Sequence, residues 1–190
     1  MKNYAHKKLE KTISQANHFF VNQRYHQALP LYQQAIKIAP KDHHIWSNLA
    51  STLMQLGQLE EAKNHFEIAL NLYPKNPAAL NNLAALLGRL GKKKEALETL
   101  ENLHQLTPND HEVLSNIGVA LNRLDRQQEA LLWFDKALAL APTFSDAHYG
   151  KAGTCAHLGQ EETAQFHCQQ AIQYKPHAPS PRLLNMMLSL

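Results

Sequence analysis

Cysteine is scarce in this 190-residue chain: it has two, too few for a disulfide framework and compatible with a reducing compartment. Charge is also nearly balanced. Nineteen Lys and Arg against sixteen Asp and Glu give a formal net charge of +3, too mild a surplus to point to a nucleic-acid binder. No run approaches the roughly 18 apolar residues of a membrane span. The opening Met1-Lys2-Asn3-Tyr4-Ala5-His6-Lys7-Lys8 has no apolar stretch that a secretory signal would need. The expectation is a cytoplasmic protein with no membrane span. Catalytic punctuation is missing too: there is no glycine-rich phosphate loop, no GxSxG and no HExxH. With 44% hydrophobic residues, however, the chain has enough apolar material for a core, which excludes a disordered reading.

What is present is a repeat. Pro40, Pro74, Pro108, Pro142 and Pro176 follow one another at intervals of 34 residues, and so do Ala28, Ala62, Ala96, Ala130 and Ala164. At a background proline frequency of about 5%, four further prolines in register arise by chance with a probability of order 10⁻⁵. Each period holds two helical patterns. In residues 43–76, Trp46, Leu49, Ala50 and Leu53 share one helical face, and Gly57 interrupts. Ala62, Phe66, Ala69 and Leu70 share a second face, and Pro74 stops it. No stretch alternates with period two. The spacing predicts ten helices in five pairs. The alanines belong where helices approach closely, with Tyr32, Phe66, Leu100, Phe134 and Cys168 filling the gap beside them. One pair cannot bury its own apolar face; stacked neighbours can.

These residues resemble the tetratricopeptide repeat (TPR) family. Its pattern places Trp, Leu, Gly or Ala, and Tyr in the first helix, then Ala, Phe, Ala and Pro. Repeat 2 reads Trp46, Leu49, Ala50, Leu53, Ala62, Phe66, Ala69, Pro74. Repeat 4 reads Leu114, Ile117, Gly118, Leu121, Ala130, Phe134, Ala137, Pro142. The first repeat departs at Thr12 and Gln15, and the fifth at His148 and Lys151. The resemblance implies an all-α fold, a right-handed superhelix of helix-turn-helix pairs. It would form a single domain over 1–190, with repeats 9–42, 43–76, 77–110, 111–144 and 145–178 and an extra capping helix over 180–190. Two local departures stand out. Pro30 would lie near the first turn of a helix starting at Tyr25 or His26, and Asp125 takes a turn place held by glycine in repeats 2, 3 and 5.

In the family the first helix of each pair lines a concave face, through positions 2, 5, 6, 9, 12 and 13 of the repeat. The candidate peptide-binding residues here are Asn17, His44, Asn48, Asn81, Asn82, Arg89, Asn116 and Arg123. Asn48, Asn82 and Asn116 recur once per repeat. A carboxamide offers a donor and an acceptor, so it matches the main chain of an extended peptide whatever its side chains. Rungs ~10 Å apart would match about three extended residues at ~3.3 Å each. The competing reading is that these asparagines brace neighbouring helices. Ile13, Phe20, Met54 and Val119 are apolar candidates on the same face, as anchor pockets or as core.

One TPR subclass clamps a partner's terminal carboxylate with two Asn and three cations. Asn17 and Asn48 match the two Asn, but Ile13, Ala78 and Asn82 stand where the cations would be, so such binding is not expected. Glu10, Glu112 and Asp146 on the inner face oppose nucleic-acid phosphate, and Lys92-Lys93-Lys94 reads as a solvated turn. Neither a metal nor a cofactor is expected. His148 and Cys155 are seven residues apart, about 10.5 Å along a helix. Cys155 and Cys168 read as small core fillers, with a disulfide as the lesser alternative.

The expected function is a non-catalytic interaction module that holds a protein or peptide partner in the concave groove. The alternatives are a scaffold self-associating through its apolar C-terminal helix, or the targeting segment of a longer enzyme.

Overall fold

The computed structural model describes residues 2–174, with side chains from His6 onward. The expected extra helix at 180–190, and any self-association through it, lie outside the described residues. Among those described there are ten α-helices and no strand: α1 Lys2–Val21, α2 Tyr25–Ile38, α3 His43–Gln55, α4 Leu59–Leu72, α5 Pro77–Arg89, α6 Lys93–Leu106, α7 His111–Arg123, α8 Gln127–Leu140, α9 Ser145–His157 and α10 Glu161–Tyr174. The all-α class and the helix-turn-helix pairing expected from the period are therefore present. The chain forms two compact units, Met1–Lys92 with α1–α5 and Lys93–Leu190 with α6–α10.

Every helix-to-helix turn inside a repeat is built the same way. Gln23, Gly57, Gly91, Asp125 and Gly159, spaced by 34, all have positive φ, between 57° and 81°. The residue after each returns its N–H to a carbonyl five residues back: Arg24 to Phe19, Gln58 to Leu53, Lys92 to Leu87, Arg126 to Leu121 and Gln160 to Cys155, at 2.8–3.0 Å. This is the Schellman closure, which satisfies a carbonyl that the helix end would leave orphaned. Asp125 thus takes the glycine place as expected, and Gln23 does so as well.

The other ends follow equally local chemistry. Asp42, Asn76 and Asp110 cap α3, α5 and α7 by accepting from backbone N–H groups of His44, Ala79, and Glu112 with Val113, at 2.9–3.3 Å. Phe144 holds the equivalent place before α9 and offers no side-chain cap. Pro30 is the sixth residue of α2, close to the first turn of a helix that starts at Tyr25. Both Pro30 and His26, whose carbonyl would have received the missing N–H, are exposed, so water can substitute there.

In the first unit α1 packs on α2 and α3 on α4, with α2 also against α3, and α5 against α4 and α3. In the second, α7 packs on α8 and α9 on α10, with α6 against α7, and α9 against α8 and α7. The recurring small residues occupy the tightest places. Ala28, Ala62 and Ala130 have no exposed surface, and Tyr32, Phe66 and Phe134 beside them are buried. Burying such a ring against close-packed backbone contributes about 2–3 kcal/mol.

Gly118 of α7 and Gly150 of α9 both face the Phe134 ring. A Cβ built on either would come within 2.8 Å and 2.4 Å of it, so neither position accepts a side chain while that ring stays in place.

Candidate functional site

Several sequence candidates are engaged by their own neighbours. Asn17 is exposed on α1, but its Oδ1 accepts from the Tyr32 hydroxyl at 2.6 Å. Asn82 of α5 donates through Nδ2 to the Ser51 hydroxyl of α3 at 3.3 Å. Arg89, although exposed, donates from its guanidinium to the Met54 carbonyl near the end of α3 at 2.9 Å. A cation there also complements the partial negative charge of the helix C-terminus. In the first unit, then, two of the candidates tie α5 to α3, and a third ties α1 to α2.

His44 is exposed, and its ring stacks on that of His43 with centroids 4.0 Å apart. His43 stacks in turn on Tyr73 at 4.7 Å and meets the Asn76 amide at 3.1 Å. Asn48 and Asn81 are half-buried in α3 and α5, and Asn116 is half-buried in α7. Of the apolar candidates, Met54 is buried, and half-buried Phe20 packs edge-on to Tyr25 at 5.4 Å.

The second unit holds a cavity of about 440 Å³ between α7 and α9. Its lining includes Val119, Asn122 and Arg123 from α7 and Tyr149, Gly150, Gly153 and His157 from α9, with Asp125 at the turn and Gln127 at the start of α8. Arg123 was a sequence candidate. Tyr149, Gly150, Val119 and His157 stood on the predicted inner face without being chosen as site residues. Asn122 and Gly153 were missed, although both occupy inner-face positions of their repeats (12 and 9). Reading every inner-face position for small residues as well as polar ones would have found them.

The cavity is shaped by side chains that are absent. Position 6 carries Asn in repeats 2, 3 and 4, but Gly150 in repeat 5, where Phe134 forbids anything larger. Gly153 is different. It lies inside α9, and a Cβ there would meet nothing within 4 Å. A mid-helix glycine costs about 1 kcal/mol relative to alanine, and no contact in this unit requires it.

The polar wall is well defined. Thr154 donates its hydroxyl to the Gly150 carbonyl at 2.7 Å, so its oxygen accepts from Asn122 Nδ2, also at 2.7 Å. That fixes the Asn122 amide and turns Oδ1 the other way. Oδ1 is buried and, among the described residues, has no hydrogen-bond partner. His157 donates from Nδ1 to the Gly153 carbonyl at 2.7 Å, which leaves Nε2 of the neutral ring as an acceptor.

Elsewhere in the unit, His148 and His167 meet through their Nδ1 atoms at 2.8 Å, both buried. His148 Nε2 donates to the Pro142 carbonyl at 2.9 Å, so His148 Nδ1 accepts from His167. Burial lowers the His167 pKa from 6.5 to about 4, helped by Lys151 and His148 and opposed by Asp135. Cys155 and Cys168 are free and buried, with thiol pKa values raised by desolvation. Among the described residues no helix is long and apolar enough to cross a membrane.

Comparison with known proteins places these features. Models of the tetratricopeptide repeat match residues 42–108, 86–143 and 133–166. No curated protein matches the sequence. Among solved structures, the chain is similar to YrrB, a TPR protein with an unusual peptide-binding site. Identity is 25%, with 94% of this chain and 91% of that one covered and a TM-score of 0.71. It is also similar to pilF of Pseudomonas aeruginosa, at 19% identity, 96% and 82% coverage and a TM-score of 0.83. TTC0263, a thermophilic TPR protein of Thermus thermophilus, gives 20% identity, 95% and 96% coverage and a TM-score of 0.75. With its 34-residue period, its repeated left-handed turns and these matches, the chain belongs to the tetratricopeptide repeat family and is a protein–protein interaction module.

Proposed function

We propose that this protein binds an extended peptide segment of a partner on the faces formed by the first helices of its repeats, holding it rather than transforming it. The observation that carries this reading is the cavity between α7 and α9. It lies on the first-helix face of repeats 4 and 5, it is open, and its lining mixes apolar, aromatic and hydrogen-bonding groups as a peptide site requires. Asn48, Asn82 and Asn116 present carboxamides at the same repeat position, and each can pair with peptide N–H and C=O groups. The Ser51 contact of Asn82 engages only its Nδ2, one donor of the four groups a carboxamide can use. YrrB, 25% identical, is itself a TPR protein with a peptide-binding site. The absence of cations at Ile13, Ala78 and Asn82 argues for main-chain capture rather than a carboxylate clamp. Two free, buried thiols suit a reducing interior, and we place the protein in the cytoplasm.

The test is binding of a synthetic peptide library to the wild type and to the double variant Asn82→Ala with Asn116→Ala. Selected peptides should bind the wild type and lose at least about tenfold in affinity in the variant, with helicity by circular dichroism unchanged. Equal binding to both proteins would refute the asparagine contact, and no selection above background would refute the groove.

A further inference from the structure

Gly153 is a helix-interior glycine that nothing in its unit demands, and it looks onto open space. Such a residue has a physical purpose where another molecule must approach the helix backbone closely. It lines the same cavity as Gly150, so the α9 wall is bare backbone at Gly153, flanked by Tyr149 and Ala152 and faced by Val119 and Arg123. At about 440 Å³ the space is at the lower end of ligand pockets, roughly 300–1,000 Å³, and takes a side chain rather than a helix.

Three properties narrow the occupant. The bare α9 wall admits a flat group at van der Waals distance, which a branched aliphatic chain would not use. Arg123 is exposed at the edge, and a guanidinium stacks well on a ring face. Val119 gives a ring an apolar contact on the α7 side of the cavity. Building on the peptide-binding reading above, we propose that this cavity is an anchor site for an aromatic side chain of the partner, with indole preferred because it is the broadest ring and the best face for the Arg123 guanidinium. Gly153 is then the specificity-determining residue: it admits the ring by having no side chain.

The experiment titrates the ¹⁵N-labelled full chain with N-acetyltryptophanamide, N-acetylphenylalaninamide and N-acetylleucinamide. The tryptophan probe should shift the Gly150 and Gly153 amide signals saturably, bind several-fold tighter than the phenylalanine probe, and leave the leucine probe weakest. Gly153→Ala should weaken the tryptophan probe on the order of tenfold. The same variant should unfold at a higher temperature, because alanine is the better helix former. Greater stability with lost binding excludes misfolding as the cause. Arg123→Gln, which leaves the bare α9 wall intact, should narrow the gap between the tryptophan and leucine probes. Equal affinity for the leucine and tryptophan probes, an unaffected Gly153→Ala, or shifts confined to other residues would overturn the anchor. Peptides that depend on Asn82 and Asn116 but are indifferent to aromatic content would also overturn it, while leaving the groove intact. Tryptophan-probe binding in the cavity without any peptide capture would support the anchor and refute the groove.

Discussion

His148 makes the bond that Trp46 makes three periods earlier in the chain. The Trp46 indole N–H donates to the Pro40 carbonyl at 2.8 Å, and His148 Nε2 donates to the Pro142 carbonyl at 2.9 Å. Each ring also packs on a histidine of the following helix: Trp46 on His65 with centroids 5.3 Å apart, and His148 on His167 at 5.1 Å. The apparent departure from the repeat pattern at His148 thus preserves the contact that pins the start of a first helix to the end of the preceding second helix.

The burial of His167 makes repeat 5 sensitive to acid. The folded His167 pKa, about 4, lies below the ordinary 6.5, so the unfolded chain binds more protons between those values. The stabilisation is complete above about pH 6.5 and is lost as pH falls toward 4, amounting to at most roughly 3 kcal/mol. Hydrogen exchange of α9 and α10 should accelerate over that window while α3 and α4 change less. In His167→Gln the acceleration should largely disappear.

The five left-handed turn positions differ in cost. Glycine adopts φ near +57° to +81° freely, whereas Gln23 at 59° and Asp125 at 57° do so against their Cβ. Gln23→Gly should stabilise the protein by about 0.5–1 kcal/mol, and Asp125→Gly by less, since aspartate tolerates this region better. Gly57→Ala should destabilise by about 1 kcal/mol. Nothing crowds its Cβ, so the loss is purely conformational. Thermal unfolding of the three variants checks the order.

Restoring the asparagine rung in repeat 5 should fail. Gly150→Asn drives a Cβ toward the Phe134 ring, where the gap is 2.4 Å, and should cost about 1–3 kcal/mol. Combining it with Phe134→Leu should recover part of that loss. A double-mutant cycle by urea denaturation would show a coupling energy of about 0.5–3 kcal/mol, and strict additivity would refute the clash.

Asn17 has a structural partner in Tyr32, so Tyr32→Phe should lower stability by about 1 kcal/mol, and Asn17→Ala with Tyr32→Phe should cost little more than either alone. Denaturant midpoints of the three variants measure this.

Thiol accessibility supplies a further check. Cys155 and Cys168 are each 1% exposed, and both pKa values are raised by burial. Neither should react with a thiol reagent in the native state at neutral pH, and both should react after unfolding.

The fold was legible because its determinants are local and repeated. Pro74 and Gly57 punctuate helices wherever they stand, and Ala62 with Phe66 announces a tight crossing without knowledge of the partner helix. The site was only partly legible. Position within the repeat placed Asn17, Asn82 and Arg89 on the first helices, but it carries no information on the hydrogen bonds that Tyr32, Ser51 and the Met54 carbonyl make to them across helices. Those depend on how far apart two packed helices settle. The cavity was hidden for a related reason. It arises where α9 lacks side chains, at Gly150 and Gly153, and a search for polar patterns passes over residues with nothing to offer but space.

The fixed 34-residue period restricts how the gene can change length. One extra residue inside α4, between Leu59 and Ala62, would swing Ala62 and Phe66 by about 100° around the helix and carry them out to water. Gains or losses of a whole 34-residue module preserve the phase, so duplication and deletion of intact units are open to this lineage while single-codon insertions inside the helices are not.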